Sequence, residues 1–134
     1  MSTTPPQQAT TGQVAAIERG HEARRTWVRT GVLVSAKDFA EGCGLTEQEV
    51  VDKTANGDLF SVLVDNDAWW PAELLRMAHR DAVALCCALS AGDDGSKLVF
   101  LMRRHGSLGG LTAADAVAQG KLEEVLSLAQ VWHQ

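Results

Sequence analysis

The chain has 134 residues, 46% of them hydrophobic, with 12 Lys and Arg against 17 Asp and Glu for a formal net charge of −5. That is enough apolar material for one packed core, but no apolar run reaches the ~18 residues of a membrane span. The cysteines Cys43, Cys86 and Cys87 are odd in number and two are adjacent, which argues against a disulfide framework and for small buried side chains.

The charge is unevenly distributed. Residues 1–37 carry Arg19, Arg24, Arg25, Arg29 and Lys37 against Glu18 and Glu22, whereas residues 38–95 carry twelve acids against Lys53, Arg76 and Arg80. An acidic centre does not suit a nucleic-acid groove, while the basic first third could contact phosphates. The opening "MSTTPPQQATTG" has neither a basic start nor an apolar run, so no signal peptide is expected. Residues 1–12 read as a disordered leader, and the expected compartment is the cytoplasm.

Residues 13–31 follow as an N-terminal helix, with Val14, Ile17, Arg24, Trp27 and Val28 roughly on one face. Two readings stay open: a solvated amphipathic helix packing on the domain or on a second copy, or an arm whose Arg24, Arg25 and Arg29 contact phosphates. Over residues 32–75, Ser35 caps a short helix carrying Ala36, Phe39 and Ala40, which "GCG" breaks. Thr46 caps a second helix with Glu47 and Glu49 in its first turn and Val50 and Val51 facing inward, and "ANG" ends it. "LFSVLVDNDAWWP" then reads as a hairpin turning at Asp65-Asn66-Asp67, with one of Trp69 and Trp70 in the core and the other more exposed. Pro71 is expected to open a helix over residues 71–91, whose apolar stripe is Leu74, Leu75, Ala78, Ala82, Leu85, Cys86 and Leu89. His79 falls at the edge of that stripe. "KLVFLMRR" reads as a further helix capped by Asp94 or Ser96, with a strand as the alternative.

The stretch "LVSAKDFAEGCGLTEQEVVDKTANGDLFSVLVDNDAWWPAELL", Leu33 to Leu75, resembles the winged-helix domains of excisionases and MerR-type regulators. In such a domain the second helix enters the major groove, which would make Gln48 and Lys53 its base- or phosphate-facing residues. Glu47, Glu49 and Asp52 share that helix, and each would approach phosphates unfavourably. The resemblance therefore leaves two uses for the module: weak DNA binding, or a scaffold for protein contacts.

The remaining stretch, "HGSLGGLTAADAVAQGKLEEVLSLA", carries no catalytic signature. It lacks the lysine of a phosphate-binding loop and the Gly-x-Ser-x-Gly of a nucleophile elbow. The histidines at 21, 79, 105 and 133 have no second ligand at metal spacing, so no cofactor, metal or enzymatic activity is expected. Gly109-Gly110 reads as a turn, Thr112 and Asp115 as a capping box, Gly120 as a stop, and "KLEEVLSLAQVWHQ" as a last helix with the stripe Leu122, Val125, Leu126, Ala129 and Trp132.

"FLMRRHGSLGGLTAADAVAQGKLEEVLSLA", Phe100 to Ala129, resembles the C-terminal toxin-binding domain of the Xre/MbcA/ParS antitoxin family at Leu108, Gly109, Gly110, Thr112, Gly120 and Val125, with Ala113 where a proline is usual. The resemblance implies a helical C-terminal module over residues 76–134 that grips a partner protein, such as a RES-type toxin that attacks NAD. Its contact surface would comprise Arg103, Arg104, Ser107, Leu108, Gly109 and Gly110. The expected fold is mainly α (α+β): a winged helix-turn-helix with a small β-hairpin, followed by that helical module. The expected function is an antitoxin-like or regulatory binding protein forming a homodimer through residues 13–30 or 121–132. The alternative is a non-DNA-binding oligomeric adaptor or mobile-element accessory protein.

Overall fold

A computed structural model describes residues 11–132. The chain is mainly helical with a small antiparallel sheet. Helix α1 spans Thr11–Arg29, so residues 11 and 12 of the expected leader are already helical; the rest of the leader, and His133, lie outside the described residues.

Strand β1, Leu33–Val34, leads into α2, Ala36–Cys43, and α3, Glu47–Ala55. Ser35 Oγ accepts from the Asp38 N–H at 3.2 Å, as its sequence position implies. At α3 both arms of a capping box are made: Thr46 Oγ1 accepts from the Glu49 N–H at 3.1 Å, and the Glu49 carboxylate accepts from the Thr46 N–H at 2.8 Å. "GCG" ends α2 as expected: the helix stops at Cys43, and Gly44 caps it in the left-handed region at φ 77°, its N–H donating to Ala40 O. Gly42 lies in the last turn of the helix, where Leu75 packs so closely that a Cβ would sit 2.8 Å from Leu75 Cδ1. Val50 is buried, but Val51 is exposed.

The hairpin forms as read. Strands β2, Val62–Val64, and β3, Asp67–Pro71, are joined by Asp65 and Asn66, both in the left-handed region at φ 51° and 73°. Val62 pairs with Trp69 and Val64 with Asp67. β3 also pairs with β1, Leu33 opposite Pro71 and Val34 opposite Trp70, giving the strand order β1-β3-β2.

That pairing explains why the expected helix over 71–91 is two pieces. Pro71 belongs to the sheet; a 3-10 helix runs over Ala72–Arg76, the chain extends at Met77, and α4 covers only His79–Ala88. Leu74 on the first piece and Ala82, Leu85, Cys86 and Leu89 beyond face the same core, but Ala78 of the expected stripe is exposed at the break. The ambiguous segment is a helix, α5, Asp94–Met102, capped by Asp93 rather than by Asp94 or Ser96. α6, Ala113–Ala118, is capped by Thr112, and α7, Leu122–Gln130, closes the chain. Asp115 does not complete a capping box; its carboxylate meets Arg76 instead.

One hydrophobic cluster runs from Leu33 through Val50, Trp70 and Leu85 to Phe100, Val125 and Ala129. It is continuous across residues 75–76, and the 3-10 helix Ala72–Arg76 spans that point. Among the described residues no helix is long and apolar enough to cross a membrane.

Candidate functional site

The loop Arg103–Gly110 leaves α5 and is built around His105. The His105 N–H donates to Leu111 O at 3.0 Å, and the His105 carbonyl accepts from Leu108 N–H at 3.0 Å and Gly110 N–H at 2.9 Å. Gly106–Leu108 is a single 3-10 turn, closed by Gly109 N–H on Gly106 O at 3.0 Å. Gly109 and Gly110 both take positive φ, 71° and 81°, which is why glycine is needed at each.

The His105 ring is buried. Its Nε2 lies 3.0 Å from Phe100 O, and since a carbonyl only accepts, Nε2 carries the proton. The ring packs against Phe100, centroids 4.7 Å apart, and meets Trp132 edge-on at 5.8 Å. Trp132 is fixed in turn by its Nε1 donating to Ser96 O and Oγ, both at 3.1 Å. The Arg103 guanidinium lies 5.9 Å from the Trp132 ring centre.

Of the residues expected to contact a partner, Arg103, Arg104, Ser107, Gly109 and Gly110 are exposed together on this loop. Leu108 is not available: it is 2% exposed, pinned in the core beneath the turn. Beside the loop lies a shallow hollow of about 480 Å³, lined by Ser107, the edge of Leu108, Glu123, Glu124, Ser127 and Leu128. Among the described residues, Arg103 and Arg104 make no ion pair.

The residues expected to contact nucleic acid are dispersed and largely engaged. Arg24 forks onto Asp94 with both contacts at 3.1 Å and donates to Leu63 O at 2.8 Å. Arg25 forks onto Asp65, again at 3.1 Å on both arms, and Arg29 reaches Glu22 at 3.1 Å. Gln48 donates to Asp52 on its own helix at 2.9 Å, and Lys53 is half-buried. Asp65 and Asp94 carry no functional signal in the sequence, since no local pattern marks a carboxylate whose partner is 40 or 70 residues away.

The expected stripe of α1 is split. Trp27 and Val28 pack on the core, while Val14 and Ile17 are 49% and 52% exposed. A hollow of about 520 Å³ lies between α1 and the hairpin, with Ile17 and His21 on one wall and Leu63 and Asn66 on the other. The stripe of α7 is consumed internally: Val125 and Ala129 are buried, and Trp132 lies beyond the helix against Phe100. Among the described residues no group of His, Cys, Asp and Glu could hold a metal ion. Comparison with protein-family models, with curated proteins and with solved structures returned no match.

Proposed function

We propose that this protein is a regulatory binding protein of the antitoxin-like kind, whose C-terminal helical module grips a partner protein through the loop Arg103–Gly110. One observation carries the reading: the inward groups of the loop serve its own rigidity, while Arg103, Arg104, Gly106, Ser107, Gly109 and Gly110 remain exposed. A rigid exposed loop with two cations outside any described ion pair is suited to recognition, because little ordering entropy is lost on binding. The resemblance of Phe100–Ala129 to the antitoxin family points to a toxin, the RES class first, as the partner.

The order α2, α3, β2, β3 supports a winged-helix reading of the N-terminal half. In that reading α3 and the hairpin tip are the parts that would meet DNA, and both are acidic: Glu47, Glu49 and Asp52 on one, Asp65 and Asp67 on the other. Such surfaces repel phosphates, so the module acts mainly as a scaffold and DNA contact is weak, carried by α1. The protein works in the cytoplasm without cofactor or catalysis.

The test is co-expression with the protein encoded by the adjoining reading frame. A stable complex is expected, lost on Arg103→Glu/Arg104→Glu and kept on Lys53→Glu. Absence of a complex, or a complex indifferent to the loop substitutions, overturns the reading.

A second reading, an oligomeric adaptor, is favoured by the exposed Val14 and Ile17 on α1. With the α7 stripe internal, α1 is the element left to support a two-fold homodimer. Sedimentation at micromolar concentration should then show a dimer that Ile17→Glu dissociates; a monomer in both proteins removes this reading.

A further inference from the structure

Three arginines of α1 meet three carboxylates of the same chain. Arg24 takes Asp94 at the start of α5, Arg25 takes Asp65 at the hairpin turn, and Arg29 takes Glu22, which also lies 3.5 Å from Arg25. Asp65 and Asp94 belong to different elements, yet each presents both oxygens to one guanidinium. A phosphate uses the same donor fork, so carboxylate and phosphate exclude one another there. An arginine already neutralised by a carboxylate also displaces no counterion when it meets DNA.

We infer that Asp65 and Asp94 form an electrostatic mask over α1, holding down its affinity for the phosphate backbone of duplex DNA by occupying Arg25 and Arg24. The inference rests on the reading of α1 as the weak phosphate-contacting element and is independent of the partner loop. The Arg25–Asp65 pair is exposed on both sides and weak enough to exchange partners, whereas Arg24–Asp94 is held more firmly by its bonds to Leu63, so the mask lowers affinity without abolishing it. Asp65 is not needed for the turn: its φ of 51° suits asparagine equally well, so Asp65→Asn removes the charge and keeps the hairpin.

The experiment is titration of a fluorescent non-specific duplex across a salt series. It compares the unaltered protein, Asp65→Asn, Asp65→Asn/Asp94→Asn and Arg24→Gln/Arg25→Gln/Arg29→Gln, each checked for folding by circular dichroism. Asp65→Asn should bind about two- to five-fold tighter, since exposed ion pairs are worth roughly that in equilibrium terms. The slope of log affinity against log salt should steepen by about 0.9 for each arginine released, a change that a merely structural pair would not produce. The arginine variant should lose binding. Should the double variant unfold, Asp65→Asn alone decides. Arginine-dependent binding left unchanged in affinity and slope by Asp65→Asn overturns the mask and leaves the reading of α1 standing. Binding indifferent to the arginines, or no binding by any of the proteins, overturns both.

Discussion

Arg24 and Asp94, 70 residues apart, close the free edge of the sheet at Leu63. With Val62 opposite Trp69 and Val64 opposite Asp67, Leu63 turns its N–H and C=O away from β3. Asp94 Oδ2 accepts from the Leu63 N–H at 3.0 Å, Leu63 O accepts from Arg24 Nη1 at 2.8 Å, and the two side chains are joined to each other. The pair does the work of a fourth strand at this position and leaves no open backbone groups there. Arg24→Ala and Asp94→Ala should each lower the unfolding free energy by about 1–3 kcal/mol, the range for losing charge-assisted bonds in a partly buried setting. Arg24→Lys should recover only part of that, because an ammonium cannot make the fork. Urea titration of the single and double variants provides the check; additive losses would mean that the two residues act separately.

The same pair sets an acid sensitivity. Burial pushes the Asp94 carboxyl up, but the Arg24 guanidinium and the Leu63 N–H outweigh it and hold the group below its ordinary 3.8. A carboxylate depressed in the folded state adds stability that is complete above its unfolded pKa and is lost as pH falls through the folded value. Asp94 should therefore contribute no slope near neutrality and should weaken the fold below about pH 4. The stability gap between the unaltered protein and Asp94→Asn should shrink as the pH is lowered from neutrality towards about 3. A gap constant over that range would show that Asp94 is not held low.

Trp69 and Trp70 divide the two faces of β3. Trp70 is 4% exposed and donates Nε1 to Thr54 Oγ1 at 2.9 Å, tying the sheet to α3, whereas Trp69 is half-buried. Trp70→Ala should cost about 3–5 kcal/mol and Trp69→Ala clearly less. Trp70→Phe keeps most of the packing but strands the Thr54 contact, for a loss of about 1 kcal/mol. The order of the three melting temperatures tests this, and equal losses for the two alanine variants would contradict the strand's facing.

Features decided within a few residues were legible in the sequence. The caps at Ser35, Thr46 and Thr112 and the left-handed turn at Asp65-Asn66 depend on neighbours three residues away or fewer, and each forms. Features decided by distant partners were not. Nothing local in Leu33-Val34 announces a strand, which exists because β3 needs a second neighbour; that same pairing takes Pro71 out of the helix its position suggested. "GCG" reads correctly as a helix stop, but that Gly42 also makes room for Leu75 depends on a distant contact. At the candidate site, the left-handed Gly109-Gly110 turn was readable, but the family pattern alone could not separate Leu108, which holds the turn from below, from the exposed residues around it. His105 has no metal partner within reach in the sequence, and its role as the loop's hub depends on Phe100 and Trp132 meeting it in space.

Around that hub, backbone strain can be separated from side-chain clash. A Cβ added at Gly109 or Gly110 would meet no atom within 4 Å, so any cost of substitution there comes from the positive φ alone. Asparagine tolerates that region and valine does not, because its branched Cβ crowds the following carbonyl. Gly109→Val should therefore destabilise by about 1–2 kcal/mol and Gly109→Asn by roughly half as much. His105→Ala should exceed both, since it opens a cavity between Phe100 and Trp132 and leaves the Phe100 carbonyl without its donor. Trypsin offers a local readout, because Arg103 and Arg104 stand at the mouth of the loop. Cleavage there should be slow in the unaltered protein and accelerate in the order Gly109→Asn, Gly109→Val, His105→Ala, as local opening becomes easier. Identical cleavage by Gly109→Asn and Gly109→Val would show that the left-handed turn does not hold the loop, and would remove the basis for treating Arg103–Gly110 as a preformed binding surface.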